Sequence, residues 1–247
     1  MNLITPVFSH NELLSMLPPA ELGQLRPFLT RVQLVNGQTL HEAGERIEQV
    51  FFIEQGFVSM VADDAGSNPG TEVGLIGREG MVGLPVLLDP QAASFNRAMV
   101  QMPGAAHRMA AQALRDSADA LPVLWRRLLQ ALEVSMAQVA QTAACNSQHT
   151  LPHRLARWLL MAHDRVDGDE LAMTQNFLAK MLGVRRAGVT GALASLQTAG
   201  VISRGRGRIL VCDRAGLEAV ACGCYGRVQA FTATVAARNP DQVDLAA

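Results

Sequence analysis

The residues best equipped for chemistry are gathered in one stretch. Between Leu171 and Val211 the chain carries Lys180, Arg185, Arg186, Arg204, Arg206 and Arg208, and no aspartate or glutamate. A run of one sign suits a surface that neutralises phosphates, since each neutralised phosphate releases condensed counterions. A solvated cationic face is the plainer reading of the same residues. Arg185 and Arg186 stand at the start of an apolar-periodic segment, where a guanidinium can bond a guanine edge through two donors or clamp a phosphate. Thr174, Gln175, Arg206 and Arg208 suit backbone contacts that position without reading sequence, and Thr190 stands one turn beyond Arg186 as a further reader.

Other chemistries find less support. No nucleophile elbow and no phosphate loop occurs, and His149-x-x-x-His153 lacks the glutamate of a zinc protease, which argues against an enzyme. Of the four cysteines, Cys222 and Cys224 form a C-x-C pair, too few for a zinc site without further ligands, so no metal site is expected. Cys145 and Cys212 read equally well as small buried residues, with redox sensing a lesser alternative.

The elements that must hold these residues follow from length and pattern. At 247 residues the chain is long enough for two domains. The first ten residues lack the basic start, apolar run and cleavage site of a leader, and about 18 apolar residues never run together, so a cytoplasmic protein with no membrane partner is expected. The cysteines offer no framework of the secreted kind. Charge divides along the chain: residues 1–147 carry 9 Lys/Arg against 14 Asp/Glu, whereas residues 148–230 carry 11 against 6. An overall charge of −1 thus conceals an acidic half and a basic half.

Residues 11–30 predict short helices interrupted by Pro18, Pro19 and Pro27. From Val32 to about Met109, short β-prone runs separated by turns at Asn36-Gly37 and Gly44 predict a β-barrel or roll, with DDAGSNPG as an exposed hairpin loop. After Pro122 a heptad seam of Leu121, Trp125, Leu128, Leu132, Ser135, Val139 and Thr142 predicts a long helix. Its Trp125, Leu128, Leu132, Ser135 and Val139 are expected at a homodimer interface, and residues 143–150 are expected to form a hinge. The basic half opens with LPHRLARWLLMAHDRV, one apolar-faced helix ended by Gly168. LAM then predicts a short strand, and Thr174 an N-cap. Gly183 closes a second helix, and a third runs from about Arg186 to Ala199 with Gly200 just past its end. VISR and RILVCD form a hairpin around RGRGR, and RAGLEAVACGCYG adds a last short helix. Two short helices joined at a glycine and followed by a cationic hairpin match a winged helix-turn-helix that enters the major groove of double-stranded DNA.

Taken in order, HEAGE, FFIEQGFV, the long helix and LAMTQNFLAKMLGVRRAGVTGALASLQTAGVISRGRGRILV resemble the Crp/Fnr family of transcriptional regulators over nearly the whole chain. The resemblance implies an α+β architecture: an N-terminal jelly-roll β-barrel of the cyclic-nucleotide-binding type over residues 1–120, a dimerisation helix and hinge over 121–147, a winged helix-turn-helix over 148–230, and a tail over 231–247. It also implies a homodimer on a near-palindromic operator, gated by a small effector, with RNA polymerase a further partner if the protein activates. Departures restrict the effector. In the segment resembling the family's ribose-binding stretch, Gly83 is followed by Leu84 and Pro85 where cAMP-binding members carry a glutamate, and Asn96 and Arg97 replace the Arg-Ser pair that grips the cyclic phosphate. Cyclic AMP binding by the usual contacts is therefore not expected, and an effector pocket is assigned only to Gly83, Leu84, Pro85, Asn96 and Arg97. No cysteine precedes Cys145, which argues against a family-type iron–sulfur cluster, and His10, His41 and His107 show no spacing that supports haem. Ala187 and Gly191 replace the family's base-reading glutamate and arginine, so the operator should differ from its commonest site. Two alternatives remain: a regulator without effector whose β-roll only supports the dimer, and a signalling module that no longer binds DNA.

Overall fold

The structure, a computed structural model, describes residues 8–62 and 70–238; most of the expected DDAGSNPG loop and the end of the expected tail lie outside them. Two short helices, α1 (Glu12–Ser15) and α2 (Pro19–Leu25), lead into the first sheet. Asn11 caps α1 by accepting from the Leu14 amide, and its own amide group donates to the carbonyls of Ile53 and Gly80, fixing the lead-in to the barrel. The sheet holds β1 (Thr30–Leu34), β2 (Thr39–His41), β3 (Gln49–Ala62), β4 (Thr71–Ile76), β5 (Met81–Val82) and β6 (Arg97–Ala110). Its antiparallel path runs β1-β6-β3-β4, with β2 on β6 and β5 on β3. Strands β3 and β6 form its spine. Each is bent by register shifts between Ile53 and Val58, where Gly56 takes φ +78° and a side chain would strike the Met102 carbonyl at 2.3 Å.

Helix α3 (Ala111–Ala120) leads into α4 (Pro122–Gln148). Pro122 occupies the first turn of α4, where its missing N–H costs nothing, and the Glu21 carboxylate accepts from the Val123 and Leu124 amides at 3.1 and 2.8 Å. The expected hinge over 143–150 is mostly helix. Ala143 and Ala144 favour helix and no glycine or proline intervenes, so α4 continues to Gln148 and only His149 and Thr150 separate it from α5 (Leu151–His163).

The expected dimer seam also divides. Leu128 has no exposure and packs with Leu114, Leu121 and Leu124 beneath the barrel, while Trp125 and Leu132 pack partly on that core. Heptad spacing marks an apolar stripe without saying which neighbour covers it, and here the chain's own β domain covers the Leu128 edge. Leu129, Met136 and Val139 are the large exposed apolar residues of this helix, Met136 at 66%.

Beyond α5, β7 (Glu170–Leu171), α6 (Gln175–Met181), α7 (Arg186–Thr198), β8 (Ile202–Gly205) and β9 (Arg208–Val211) follow, with the small sheet ordered β7-β9-β8. Val189, Leu193 and Leu196 of α7 are buried with Leu178 and Met181 of α6 and Trp158 and Leu159 of α5. In place of one last short helix there are two, α8 (Arg214–Val220) and α9 (Cys224–Ala236). Helix α9 runs through the boundary expected at residue 230 and returns along α4. Arg127 donates to the Ala236 carbonyl at 3.3 Å, and Arg238 pairs with Glu133 at 2.8 Å.

Candidate nucleic-acid interface

The geometry of the basic half is set by its turns. Thr174 adopts the extended conformation of an N-cap, and its hydroxyl accepts from the Phe177 amide at 3.2 Å. At the other end of α6, Gly183 takes φ +63°, which lets the chain reverse into α7 within a few residues. Arg185 occupies the N-cap position of α7 without a capping hydrogen bond, as expected for a residue that cannot accept one. Its side chain and that of Arg186 are therefore exposed where the first amides of α7 also point outward. The Thr190 hydroxyl, one turn on, donates to Gln175 Oε1 at 2.8 Å and ties the two helices together.

The hairpin of β8 and β9 turns through Gly205, Arg206 and Gly207 and leans over the start of α6. Between them lies a cleft of about 290 Å³ lined by Thr174, Gln175, Arg186, Arg204, Arg206 and Arg208. Five of the seven residues singled out for DNA contact thus meet at one surface; Arg185 and Thr190 sit beside it on α7. Arg204, given no site role from sequence, belongs to the same surface. It shares strand parity with buried Ile202, which turns it toward α7, where it bonds Gln197. Asn176 lines the cleft as well, and no charge signal could have singled it out. Glu170 stands 3.6 Å from Arg208 in an exposed pair that water screens. Ala187 and Gly191 are exposed, and a Cβ on Gly191 would meet nothing within 4 Å. Small side chains there leave the arginines as the longest donors on the outer face of α7.

This surface is held against the β domain by buried polar contacts. Glu72 on β4, 5% exposed, accepts from the Trp158 indole of α5 at 2.6 Å and the Ser59 hydroxyl at 2.5 Å. Burial pushes its carboxyl up from 4.5 to about 7, against the opposing pull of those two bonds and of Arg165 and Arg157. Arg165 donates to Glu79 at 2.6 Å and to the Met161 carbonyl. The Gly183 turn itself rests on Thr71, so an added Cβ would lie 3.2 Å from its hydroxyl. Between β domain, α4, α5 and α9 is a cavity of about 400 Å³, lined in part by Arg78, Gln138, Met161, Arg165 and Gln229.

Of the expected effector residues, only Leu84 borders that cavity. Its side chain is also packed in the core under the barrel. Pro85 is exposed, Gly83 takes φ +107° against Val50 and His41, and Asn96 and Arg97 stand at the outer start of β6. Of the three histidines weighed for haem, His41 bonds the Gln49 carbonyl at 2.7 Å, while His107 lies 3.6 Å from the Glu54 carboxylate to which the His10 amide donates.

A donor cluster does form where none was expected. Cys145, His149, Cys222 and Cys224 place one ligand atom each within 4.8 Å of one another. The cysteines are buried and the histidine half-buried. The two pairs are more than 70 residues apart, and only the return of α9 along α4 brings them together. Cys212, by contrast, is exposed just past the end of β9.

Residues 153–220 match the model of the Crp-like helix-turn-helix domain. No curated protein sequence matches the chain. Among solved structures it is similar to a transcriptional regulator of the Crp/Fnr family from Eubacterium rectale, 16% identical with a TM-score of 0.64 over 85% of this chain and 97% of that one. FixK2 from Bradyrhizobium japonicum is 17% identical with a TM-score of 0.66 over 78% and 98%. The c-di-GMP-responsive global regulator CLP of Xanthomonas campestris is 15% identical, with a TM-score of 0.61 over 78% and 99%. The basic half therefore contains a Crp-like helix-turn-helix domain, set in an α+β fold shared with Crp/Fnr regulators.

Proposed function

We propose that this chain is a sequence-specific DNA-binding transcriptional regulator that acts as a homodimer on a two-fold symmetric operator. The observation that carries the reading is the convergence of Arg186, Arg204, Arg206 and Arg208 on one cleft between the start of α7 and the wing, with Arg185 exposed beside it. A helix start flanked by donors suits base edges in the major groove, and a cationic wing suits the adjoining phosphates. Arg185, Arg186 and Thr190 are assigned to base reading, and Thr174, Gln175, Arg206 and Arg208 to the backbone. The dimer forms through Leu129, Leu132, Met136 and Val139, a stripe of alternating three- and four-residue spacing whose outer members remain exposed. A small effector enters the cavity between the β domain, α4, α5 and α9, where it would touch both halves of the molecule at once.

The reading is tested by selecting bound sequences from a random duplex library with the purified chain and with Arg186→Ala. A two-fold motif with half-sites about one helical turn apart, relaxed at one position by the substitution, is the expected outcome. Binding equal on all duplexes, without steep salt dependence, would refute it.

A further inference from the structure

The cysteines and the histidine that close on each other at the end of α4 are not used by the DNA-binding reading. Cys145 lies in the last turn of α4 and His149 is the residue that caps it, its amide bonding the Cys145 carbonyl at 3.1 Å, so both stand at the same helix end. Cys222 and Cys224 flank Gly223 in the turn between α8 and α9, with the Tyr225 amide bonded to the Cys222 carbonyl at 3.1 Å. The Cys145 and Cys222 sulfurs stand 3.4 Å apart, and Cys224 Sγ is 3.6 Å from His149 Nδ1.

The two separations, with all four ligand atoms within 4.8 Å of one another, are on the scale of the edges of a small tetrahedron. A zinc–sulfur bond of about 2.3 Å implies ligand-to-ligand edges of about 3.8 Å, slightly shorter where nitrogen replaces sulfur. A four-iron cube would require wider spacing, because each protein ligand there holds a different iron. Three thiolates and an imidazole supply four donors, the soft set that zinc occupies in closed tetrahedral structural sites. Their combined charge with a dication is −1, and a counterion stands ready. Arg157, 5% exposed, acts electrostatically on Cys145, while its Nε has no hydrogen-bond partner among the described residues. The guanidinium already donates to the Thr142 hydroxyl at 3.0 Å and acts on Glu72, and an anionic centre at Cys145 would give it a second countercharge.

We propose that Cys145, His149, Cys222 and Cys224 bind one zinc ion that fastens the α8–α9 turn to the end of α4, next to the two-residue link into the DNA-binding half. On binding, each thiol releases its proton to solvent, and no electron is transferred. The ion closes a loop of more than 70 residues and holds α9 in its return path.

The test uses the full chain, purified under reducing conditions, stripped with a chelator and titrated with zinc and with cobalt(II) against a chromophoric competitor. One equivalent of metal per chain, together with the sulfur-to-cobalt charge transfer and visible bands of tetrahedral cobalt, is expected. Cys224→Ser and His149→Gln should each weaken zinc by on the order of a hundredfold or more, as loss of a first ligand must exceed the loss of a supporting bond. Cys212→Ser should bind as the parent does. Should Cys224→Ser fail to fold, His149→Gln at the helix end and the parent titration still decide. No tight zinc in a natively folded, fully reduced chain would overturn the proposal. So would iron and sulfide in the isolated protein, six-coordinate cobalt, or a Cys145–Cys222 disulfide persisting under reductant.

Discussion

Glu72 couples protonation to the contact between the two halves of the chain. Its carboxyl is raised from 4.5 to about 7, chiefly because β4 and α5 shut it away from water. The difference of roughly 2.5 pKa units corresponds to about 3 kcal/mol, at about 1.36 kcal/mol per unit. A folded-state value above the unfolded one contributes stability that is complete below about pH 4.5 and disappears as pH rises through about 7. The arrangement should therefore weaken across neutral pH, by up to about 3 kcal/mol between roughly pH 5 and pH 8. Glu72→Gln removes the titrating proton while leaving an oxygen to accept from Trp158 and an amide to donate to Ser59. The assay is urea unfolding of both proteins at several pH values, followed by fluorescence, to which Trp158 contributes as one of two tryptophans. Buried His41 and His107, both lowered by desolvation, tilt stability the opposite way in each protein and cancel in the comparison. The variant should gain on the parent as pH rises. A difference between the two that stays flat across the range would refute the assignment of the raised value to Glu72.

Arg186→Ala should cost about 1 to 3 kcal/mol of discrimination at one operator position, read in competition binding, whereas Arg206→Ala should weaken all duplexes alike and lower the salt slope by about 1. Met136→Glu should dissociate the dimer in sedimentation experiments with unchanged circular dichroism, because Met136 touches no core; Leu128→Ala should instead lose about 2 to 5 kcal/mol of stability in denaturant unfolding, since its side chain is wholly buried. Gly183→Ala should lower stability by about 1 kcal/mol or more in the same measurement, as φ is +63° and Thr71 crowds the new methyl.

The parts legible in the sequence were those written in local pattern. Thr174, Gly183 and Gly200 mark helix ends by residue type alone, and all three take the conformations their types favour. The β roll could be read from its turns at Gly37 and Gly44, both at positive φ. What sequence left open depends on distant neighbours. The heptad of α4 could not say that the barrel would take Leu128 and leave Met136 outside. Cys222-x-Cys224 lacked ligands until α9 brought them to Cys145 and His149. Helix α9 itself was hidden by Gly223 and Gly226 near its start and by the absence of charged residues from Val228 to Ala237. Of the effector residues inferred by resemblance, Leu84 borders the cavity beside α4 and α9 and also packs into the core.

The return of α9 along α4 changes how the DNA-binding half is suspended. Chain enters it from the end of α4 through His149 and Thr150, and leaves it by a helix that lies back against the same rod, pinned at its far end by Arg127 and Arg238. A body hung from a single thread swings through a cone. Hung from two points, it can only rock about the line that joins them. The same half also rests on the β domain through Glu72 and Trp158, through Glu79 and Arg165 and through the Gly183 turn on Thr71, so moving the arginine cleft requires those contacts to part as well, and a cut after α8 would leave them in place.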